Sequence, residues 1–493
     1  MRKLLFLAFD LGAESGRTIL GELEGGRVAI RELTRFPNAP VRVLGHLHWN
    51  IYGLFEEIKR GMVAAQAEAQ PVSLAVDTWG VDFGLLTPDG TLLGLPFAYR
   101  DTRTQGVMDE FFARVPRAEV YRRTGIQFLP FNTLFQLFAA GKQNPGLMEK
   151  TGALLFMPDL FNFLLTGQKA SEFTIASTSQ LLDPVARNWD EYLLSALGAP
   201  PGLMQRVVPP GTVIGALDVS VCRETGLREP RVVATASHDT AAAIAAVPAL
   251  GDDWAYISSG TWSLMGVELD SPLVNPDALA ANFSNEGGVG GRTRFLRNIA
   301  GLWLLQQCRR EWSANRPLGY DELAQLAGEA PPFAAFIDPD CPDFLNPPSM
   351  VDAIRVFCRR TGQEPPQSVA GLARCILESL ALKYRWTLED LRRLTRKRIQ
   401  KLHVIGGGSR NERLCQFAAD STQLEVLSGP SEATALGNIL VQTLALGALG
   451  SVAEARAVVR ESVEIKTFEP GRAGEWDDAY GRFRQVAGLK GDG

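Results

Sequence analysis

The sequence has little of what several classes of protein require. Its cysteines are few and show no Cys-x-x-Cys spacing, which argues against metal-thiolate and redox chemistry. Its net charge is −5, whereas binding to a phosphate backbone needs an excess of basic residues, so no nucleic-acid partner is expected. The apolar stretch 433–452 is interrupted by Asn438, Gln442 and Thr443, which predicts a buried helix and no membrane span.

The six cysteines leave one pairing to consider. They are Cys222, Cys308, Cys341, Cys358, Cys375 and Cys415. Cys358 and Cys375 flank a Pro365-Pro366 turn between two helical stretches, so the two thiols are able to approach each other. In a cytoplasmic chain we favour buried free thiols over a disulfide, with the pairing left open.

The rest of the composition is that of an ordinary globular enzyme. With 46% apolar and 21% charged residues in 493, the chain is long enough for two or three domains that each bury a core. The apolar run Leu4–Phe9 follows two basic residues, but Asp10 ends it too soon for a secretory signal. We therefore expect a cytoplasmic protein.

The stretch Phe6–Leu23 organises the chain. An unbroken apolar run predicts a buried strand, Gly12 and Gly16 bracket a turn, and a strand resumes at Thr18. The pattern recurs in Trp254–Glu268 around Gly260, about half of the chain later. Two turns of this kind offer backbone N–H groups and a hydroxyl to a phosphate, so we predict a duplicated phosphate-binding fold.

The order of elements after the first turn supports this prediction. Three strands, a helix over residues 51–62 and a strand at Ser73–Val76 are the order of an RNase H-like (actin-like ATPase) half. The second half repeats the plan and includes a predicted strand at Ala334–Ile337 and long helices that start at Ser349 and Ser368. We predict an α/β protein whose two RNase H-like domains, residues 1–245 and 246–493, flank a central cleft.

Polar residues at the ends of predicted strands are the candidate site. Asp10 would face the magnesium ion of a nucleotide through metal-bound water, since Mg²⁺ gives up its water reluctantly. Asp239 follows a strand at a helix N-terminus and is the candidate base for phosphoryl transfer, although an N-cap role alone would also explain it. Gly406–Gly408 would let the backbone lie against adenosine or would only form a flexible turn.

A second group is typical of a sugar pocket. Trp79, Arg100, Asp101 and Arg103 supply an aromatic face and polar groups for a polyol, and core packing with surface ion pairs explains them almost as well.

These motifs together resemble the FGGY family of carbohydrate kinases. The resemblance runs nearly end to end and rests on DLGAESGR (10–17), DTWGVDF (77–83), YRDTRT (99–104), GIQFLPFNTLFQL (125–137), ASHDTAAA (236–243), YISSGTWSLMG (256–266), NEGG (285–288), RNIAGLWLLQ (297–306) and GGGSRN (406–411). The first and last are family-wide. DTWGVDF, GIQFLPFNT and NIxGLWLLQ are narrower and resemble the members that phosphorylate L-rhamnulose on its 1-hydroxyl, with ATP and Mg²⁺, in bacterial L-rhamnose breakdown.

The resemblance also implies roles for individual residues. The contacts to ATP would come from Ala13, Glu14, Ser15, Gly16, Arg17, Thr261, Gln306 and Gly407. The contacts to the sugar would come from Gly80, His238, Asp239, Thr240 and Asn298, with Asp239 as the base. Glu14 departs from the small residue expected at that position of the loop.

Two alternatives stay open at the level of sequence. One is a kinase of another ketose, such as L-fuculose or D-xylulose, because sugar epimers differ in the direction of one hydroxyl. The other is an actin-like protein that binds ATP or a sugar and transfers nothing, which would need no base at Asp239.

Overall fold

The apolar run at the N-terminus forms an inner strand of the first sheet. In the computed structural model, which describes residues 3–313, 317–471 and 473–489, this strand spans Leu4–Leu11 and is buried from Phe6 onward. It pairs antiparallel with Ser15–Glu24 and parallel with Ser73–Thr78. A strand with neighbours on both sides and cover on both faces is expected to be a continuous apolar run, as this one is.

The elements follow one another in a mixed α/β order. The strands are β1 (Leu4–Leu11), β2 (Ser15–Glu24), β3 (Arg27–Pro37), β4 (Val41–Val43), β5 (His46–His48), β6 (Ser73–Thr78), β7 (Phe83–Leu86), β8 (Ala153–Phe156), β9 (Ser171–Glu172), β10 (Leu182–Asp183), β11 (Asn188–Trp189), β12 (Val207–Val208), β13 (Thr212–Ala216), β14 (Arg231–Ala234), β15 (Trp254–Ser259), β16 (Trp262–Leu269), β17 (Ser284–Gly287), β18 (Thr293–Ala300), β19 (Lys401–Ile405), β20 (Glu425–Ser428) and β21 (Lys466–Phe468). The α-helices are α1 (Ile51–Gln66), α2 (Val107–Phe112), α3 (Arg117–Thr124), α4 (Thr133–Gln143), α5 (Leu147–Lys150), α6 (Met157–Thr166), α7 (Phe173–Ala176), α8 (Glu191–Leu197), α9 (Val219–Thr225), α10 (Asp239–Ala245), α11 (Pro276–Ala280), α12 (Trp303–Ser313), α13 (Tyr320–Glu329), α14 (Met350–Arg360), α15 (Val369–Thr395), α16 (Glu412–Thr422), α17 (Ala433–Ala445), α18 (Val452–Ser462) and α19 (Ala473–Val486).

The chain divides into two units that alternate along the sequence. Unit 1 comprises Met1–Pro248, Glu268–Phe295 and Ala433–Val463. Unit 2 comprises Ala249–Val267, Leu296–Glu432 and Glu464–Gly493. The division therefore does not fall at one point in the chain, and the domain limits 1–245 and 246–493 stay a prediction.

Unit 1 is built on a six-stranded sheet in the order β13-β14-β6-β1-β2-β3. The predicted succession of three strands, a helix and a strand is confirmed as β1, β2, β3, α1 and β6. Helix α17 packs closely against α10, since a Cβ on Gly437 would lie 1.7 Å from the carbonyl oxygen of Ala242. Only glycine permits this approach. The polar residues of α17 lie against β1 and β6, where Gln442 Nε2 donates to the carbonyl of Leu7 at 3.1 Å and Asn438 Nδ2 to Asp77 Oδ2 at 2.6 Å.

Unit 2 repeats the arrangement around β15. In its sheet the successive neighbours are β18, β16, β15, β19, β20 and β21. Strand β15 pairs antiparallel with β16 and parallel with β19, as β1 does with β2 and β6. The predicted starts of the two long helices are confirmed, because Ser349 and Ser368 are the N-caps of α14 and α15.

Two predictions of local structure are wrong. Residues 334–337 form no strand, because side chains take the place of a neighbouring strand: the N–H of Phe336 donates to Gln363 Oε1 at 2.8 Å and that of Ile337 to Ser379 Oγ at 3.0 Å. The apolar stretch 433–452 is also not a single helix. Helix α17 ends at Ala445, and α18 begins at Val452 behind its N-cap Ser451.

Among the described residues, no helix is both long enough and apolar enough to cross a bilayer.

Cys358 and Cys375 are buried as free thiols. This agrees with the preference for free thiols over a disulfide stated above.

Candidate active site

Three aspartates of unit 1 lie at the ends of elements that meet at one edge of its sheet. Asp10 is near the end of β1 and lies opposite Asp77 of the parallel strand β6. Asp239 is the first residue of α10, and the preceding loop is tied to β6 because the N–H of Thr78 donates to the carbonyl of Ser237 at 2.9 Å. The carboxyl ends of parallel strands are where α/β sheets present ligand sites.

Asp239 has the properties of an accessible base. Its side chain is 30% exposed, and Oδ1 accepts hydrogen bonds from the N–H of Thr240 at 2.6 Å and from Thr240 Oγ1 at 3.2 Å. Burial raises the pKa of Asp239, the charge of Asp10 adds to the rise, and His238 opposes it. The carboxylate is thus oriented by Thr240 and holds a proton more tightly than an ordinary aspartate does.

The other two aspartates each contact a polar side chain of unit 1. Asp10 forms an ion pair with Arg17, its cross-strand neighbour on β2. Asp77 Oδ2 accepts from Asn438 Nδ2 at 2.6 Å, whereas Asp77 Oδ1 is buried and has no hydrogen-bond partner within the described residues. Burial raises the pKa of Asp77 well above its ordinary value, and the charge of Asp10 raises it further.

This acidic group suits a cation that is brought by another molecule. The charge of Asp10 raises the pKa of both Asp77 and Asp239, and Asp77 Oδ1 has no partner among the described residues, so added positive charge is favoured here. Among residues 3–313, 317–471 and 473–489, no three His, Cys, Asp or Glu side chains are arranged to hold an ion by themselves. The donor set therefore fits Mg²⁺ bound mainly to phosphates and reached by a carboxylate through water.

The predicted sugar contacts of unit 1 lie together. A Cβ on Gly80 would be 3.4 Å from His238 Nε2 and 3.5 Å from Thr178 Oγ1, so Gly80 leaves the space beside His238 free. The next residue, Val81, has φ 67°, which is rare for a β-branched side chain. Thr178 and Thr133 hold it there through hydrogen bonds to its N–H (3.2 Å) and carbonyl (2.6 Å). A strained turn fixed in this way is typical of a binding site.

The aromatic candidate Trp79 bonds to Asp82, a carboxylate of the same motif DTWGVDF that was not assigned a role above. Asp82 Oδ2 accepts from the indole N–H groups of Trp49 at 2.6 Å and Trp79 at 2.9 Å, and Oδ1 accepts from Gln136 Nε2 at 2.8 Å. Burial raises the pKa of Asp82 to about 6 against the effect of these donors. Trp79 is only 5% exposed, so its side chain braces the turn that carries Gly80.

The charged candidates near Tyr99 also have protein partners. Asp101 accepts from the N–H of Leu47 at 2.7 Å and contacts His46 Nδ1 at 3.0 Å. Arg103 donates to Gln136 Oε1 at 2.8 Å and lies over the ring of Phe97 at 3.9 Å. The polyol pocket of Trp79, Arg100, Asp101 and Arg103 stays a prediction.

In unit 2 the second glycine turn leads into the start of a helix. The N–H of Gly260 donates to the carbonyl of Trp262 at 2.8 Å, and the carbonyls of Gly260 and Thr261 accept from Leu302 (3.0 Å) and Trp303 (3.1 Å). Thr261 and Gln306 are thereby placed at the first turn of α12. Gln306 Oε1 is buried with no hydrogen-bond partner among the residues described, so it is free to receive a donor from a ligand.

The three glycines after β19 differ in what surrounds them. Gly406 has φ 80°, and a Cβ on Gly408 would lie 2.0 Å from Ser259 Oγ, so both positions require glycine for reasons of the fold. A Cβ on Gly407 would meet no atom within 4 Å. Its backbone is therefore open to a flat ligand. Asn298, the remaining predicted sugar contact, is half-buried on β18.

Sequence reasoning missed three charged residues beside the predicted base. Glu172 Oε2 accepts from the N–H of Ser237 at 3.1 Å, next to His238 in the chain. Glu286 and Arg294 contact the ring of His238. The motif NEGG contains Glu286 and was one available signal, but no pattern in the sequence separates Glu172 or Arg294 from ordinary charged residues.

Comparison with known proteins identifies the family. The model of the FGGY carbohydrate kinase N-terminal domain matches residues 5–246, and that of the C-terminal domain matches residues 255–446. The chain belongs to the FGGY family of carbohydrate kinases. It is therefore an enzyme that transfers a phosphoryl group to an alcohol group of a carbohydrate.

Relatives in this FGGY family cover nearly the whole chain. The chain is 46% identical over 480 residues to a rhamnulokinase of Bacteroides thetaiotaomicron, covering 97% of this chain and 98% of that one. It is 43% identical over 484 residues to a rhamnulokinase of Pectobacterium carotovorum, with 98% and 96% coverage. Among solved structures, a gluconate kinase and a xylulose kinase of Lactobacillus acidophilus superpose with TM-scores of 0.82 and 0.81. Both are 14% identical, with 98% of this chain and 98% and 97% of those chains covered, and both confirm the two-domain fold alone.

Proposed function

We propose that the protein phosphorylates the 1-hydroxyl of L-rhamnulose with ATP, giving L-rhamnulose 1-phosphate and ADP, in L-rhamnose breakdown in the cytoplasm. The observation that carries phosphoryl transfer is the half-buried, hydrogen-bonded carboxylate of Asp239 with its raised pKa. The choice of sugar is supported by the identity of 40–46% to rhamnulokinases over nearly the whole chain.

Asp239 acts as the general base. Its carboxylate accepts the proton of the 1-hydroxyl as the oxygen attacks the γ-phosphorus of ATP, the bond from that phosphorus to the bridging oxygen breaks, and ADP leaves. Such transfer needs little covalent help beyond placement, charge neutralisation and a proton acceptor. A carboxyl with a raised pKa is the better acceptor as long as it is ionised at the working pH.

The proposed contacts to ATP come from the two glycine turns, from α12 and from the glycines after β19. They are Ala13, Glu14, Ser15, Gly16, Arg17, Thr261, Gln306 and Gly407. The open space at Gly407 and the unpartnered Gln306 Oε1 support the assignments in unit 2. When bound, Mg²⁺ neutralises charge on the phosphates, and Asp10 orients it through water.

The proposed contacts to the sugar are Gly80, His238, Thr240 and Asn298, together with Asp239. Gly80 supports this assignment because a side chain there would fill the space beside His238 Nε2. Sugar hydroxyls pair with the imidazole, hydroxyl and amide groups, and a wrong epimer leaves one of these buried groups unpaired.

The test is an assay of ADP release with Mg-ATP and a panel of L-rhamnulose, L-fuculose, D-xylulose and glycerol, with the phosphorylated product identified. Clear preference for L-rhamnulose with phosphate on O1 is expected. Preference for L-fuculose or D-xylulose would replace the substrate and keep the kinase. Binding without ADP release would point to a sensor and contradict the proposed transfer.

A further inference from the structure

We propose that Arg294 and Glu286 are positioning residues that hold His238 as the neutral tautomer with its proton on Nε2, directed at the carboxylate of Asp239. The inference rests on the proposed function, since it explains how the base is oriented. It assigns a role to two residues that the sequence left without one, and both lie in unit 1 with His238.

The first step is the bond from Arg294 to the imidazole. Arg294 is fully buried, its Nε donates to the carbonyl of Gly287 at 2.7 Å, and its Nη2 lies 3.1 Å from His238 Nδ1. A guanidinium can only donate. Nδ1 must therefore accept, and a neutral imidazole whose Nδ1 accepts carries its proton on Nε2.

The second step is the charge balance of the buried arginine. Glu286 Oε2 lies 3.0 Å from Arg294 Nη2 and 3.4 Å from His238 Nδ1. Burial alone would raise the pKa of Glu286, but the charge of Arg294 is the largest of the effects that outweigh it and lower the pKa to about 2. The carboxylate therefore stays ionised and neutralises Arg294, and this buried ion pair holds Arg294 Nη2 beside His238 Nδ1.

The third step is where the Nε2 proton points. Nε2 lies 3.4 Å from Asp239 Oδ1 and 3.4 Å from the Cβ position of Gly80. The charged groups facing the ring are Asp239 from α10, Glu286 from β17 and Arg294 from β18, with Glu172 bonded to the preceding residue. The Nε2 proton thus lies between the carboxylate of Asp239 and Gly80, where it favours one orientation of the base beside the proposed sugar contacts.

The tautomer is open to direct measurement. The chain has four histidines, so imidazole-¹⁵N labelling gives few signals, and His238→Asn assigns the signal of interest. Nδ1 of His238 is expected to be unprotonated and Nε2 protonated in the wild-type protein at neutral pH. A protonated Nδ1 would overturn the proposal without any other variant.

The matched pair of variants is Arg294→Met and Arg292→Met. Arg292 lies two residues away and pairs with the exposed Asp270, so its loss leaves the tautomer and the activity unchanged. Arg294→Met is expected to change the tautomer signal of His238 and lower kcat about 10- to 100-fold, the range for side chains that orient a functional histidine, while KM for ATP stays the same. If Arg294→Met does not fold, Glu286→Gln tests the bond from Arg294 to His238 by removing the charge that balances Arg294. The ¹⁵N signal of an unprotonated Nδ1 of His238 should then weaken.

The two levels of proposal fail differently. Phosphorylation of L-rhamnulose by a protein whose His238 spectrum is the same in Arg294→Met would overturn the positioning role and keep the function. The expected tautomer in a protein that phosphorylates no sugar would overturn the proposed function and leave the bond from Arg294 as a feature of the fold.

Discussion

The two glycine turns, at Gly12 and Gly260, have the same topology but differ in the charge of the side chains at the strand ends. In unit 1, Gly12 follows β1, whose Asp10 lies opposite Asp77 on the parallel strand β6. In unit 2, Gly260 follows β15, whose Ser258 lies opposite Ile405 on the parallel strand β19. Each turn closes with a hydrogen bond from the glycine N–H, to Ser15 at 3.0 Å and to Trp262 at 2.8 Å. Two carboxylates of the first pair correspond to a hydroxyl and an alkyl group in the second.

This difference indicates that the two repeats of the fold are suited to different kinds of contact with a ligand. In unit 1, burial and the charge of Asp10 raise the pKa of Asp77 and of Asp239, and such a group of carboxylates suits metal charge and proton transfer. The corresponding end of β19 leads into three glycines and suits close contact with a ligand through the backbone. The same strand–turn–strand topology thus presents carboxylates at the strand ends in one unit and uncharged residues in the other.

The largest expected effect is in unit 1, at the base. Asp239→Asn keeps an oxygen for Thr240 but cannot take a proton, so kcat should fall by ~10²- to 10⁴-fold, about 3 to 5 kcal/mol of barrier, with ATP binding preserved. Steady-state kinetics with the preferred sugar measure the first, and nucleotide titration the second.

The control for this variant is Asp277→Asn. Asp277 also lies in the first turn of a helix of unit 1, but it is exposed, so its loss should leave kcat unchanged. Normal turnover in Asp239→Asn would assign the proton transfer to another group and remove the chemical contrast between the units.

The next effect is on the stability of unit 2. Gly408→Ala places a Cβ 2.0 Å from Ser259 Oγ and 2.6 Å from Ser259 Cβ. Strand β15 and the turn at residues 406–408 must therefore move apart. Overpacking of this kind costs about 1 to 3 kcal/mol. Thermal unfolding should show a lower midpoint than the wild type, and an unchanged midpoint would contradict the close packing of the turn.

Gly407→Ala is the matched variant with a smaller, functional effect. No atom lies within 4 Å of the added methyl group, so the unfolding midpoint should stay that of the wild type. Because the methyl group stands where we propose adenosine to lie, KM for ATP should rise while kcat changes little. An unchanged KM would remove Gly407 from the nucleotide site.

The sequence predicted the parts of this comparison that depend on local pattern. The buried strands β1 and β6 contain the apolar runs Leu4–Phe9 and Leu74–Val76, and the helices α14 and α15 start at their Ser caps. The aspartates could be found because strand ends are where ligand sites form. Each of these features depends on a few residues that are neighbours in the sequence.

The remaining features depend on contacts between residues far apart in the chain. Asp77 bonds to Asn438, and His238 bonds to Arg294, with no local pattern to relate the partners. The strand expected at Ala334–Ile337 is absent because Gln363 and Ser379 supply its hydrogen bonds. Propensity cannot anticipate a side chain that replaces a strand, since that choice is made by tertiary packing.

The smallest expected effect tests the charge of Asp10, which distinguishes the first glycine turn from the second. The charge of Asp10 raises the pKa of Asp239, so Asp10→Asn should lower that pKa. Activity is lost as pH falls through the pKa of the base, because a protonated carboxyl accepts no proton, and the acidic limb of the kcat profile should therefore move to lower pH. The profile is measured at saturating Mg²⁺, which separates this effect from any loss of metal affinity. Ser258→Ala, at the corresponding position of unit 2, removes no charge and should leave the limb in place. A limb that moves equally in both variants would mean that the carboxylate at the first turn does not tune the base.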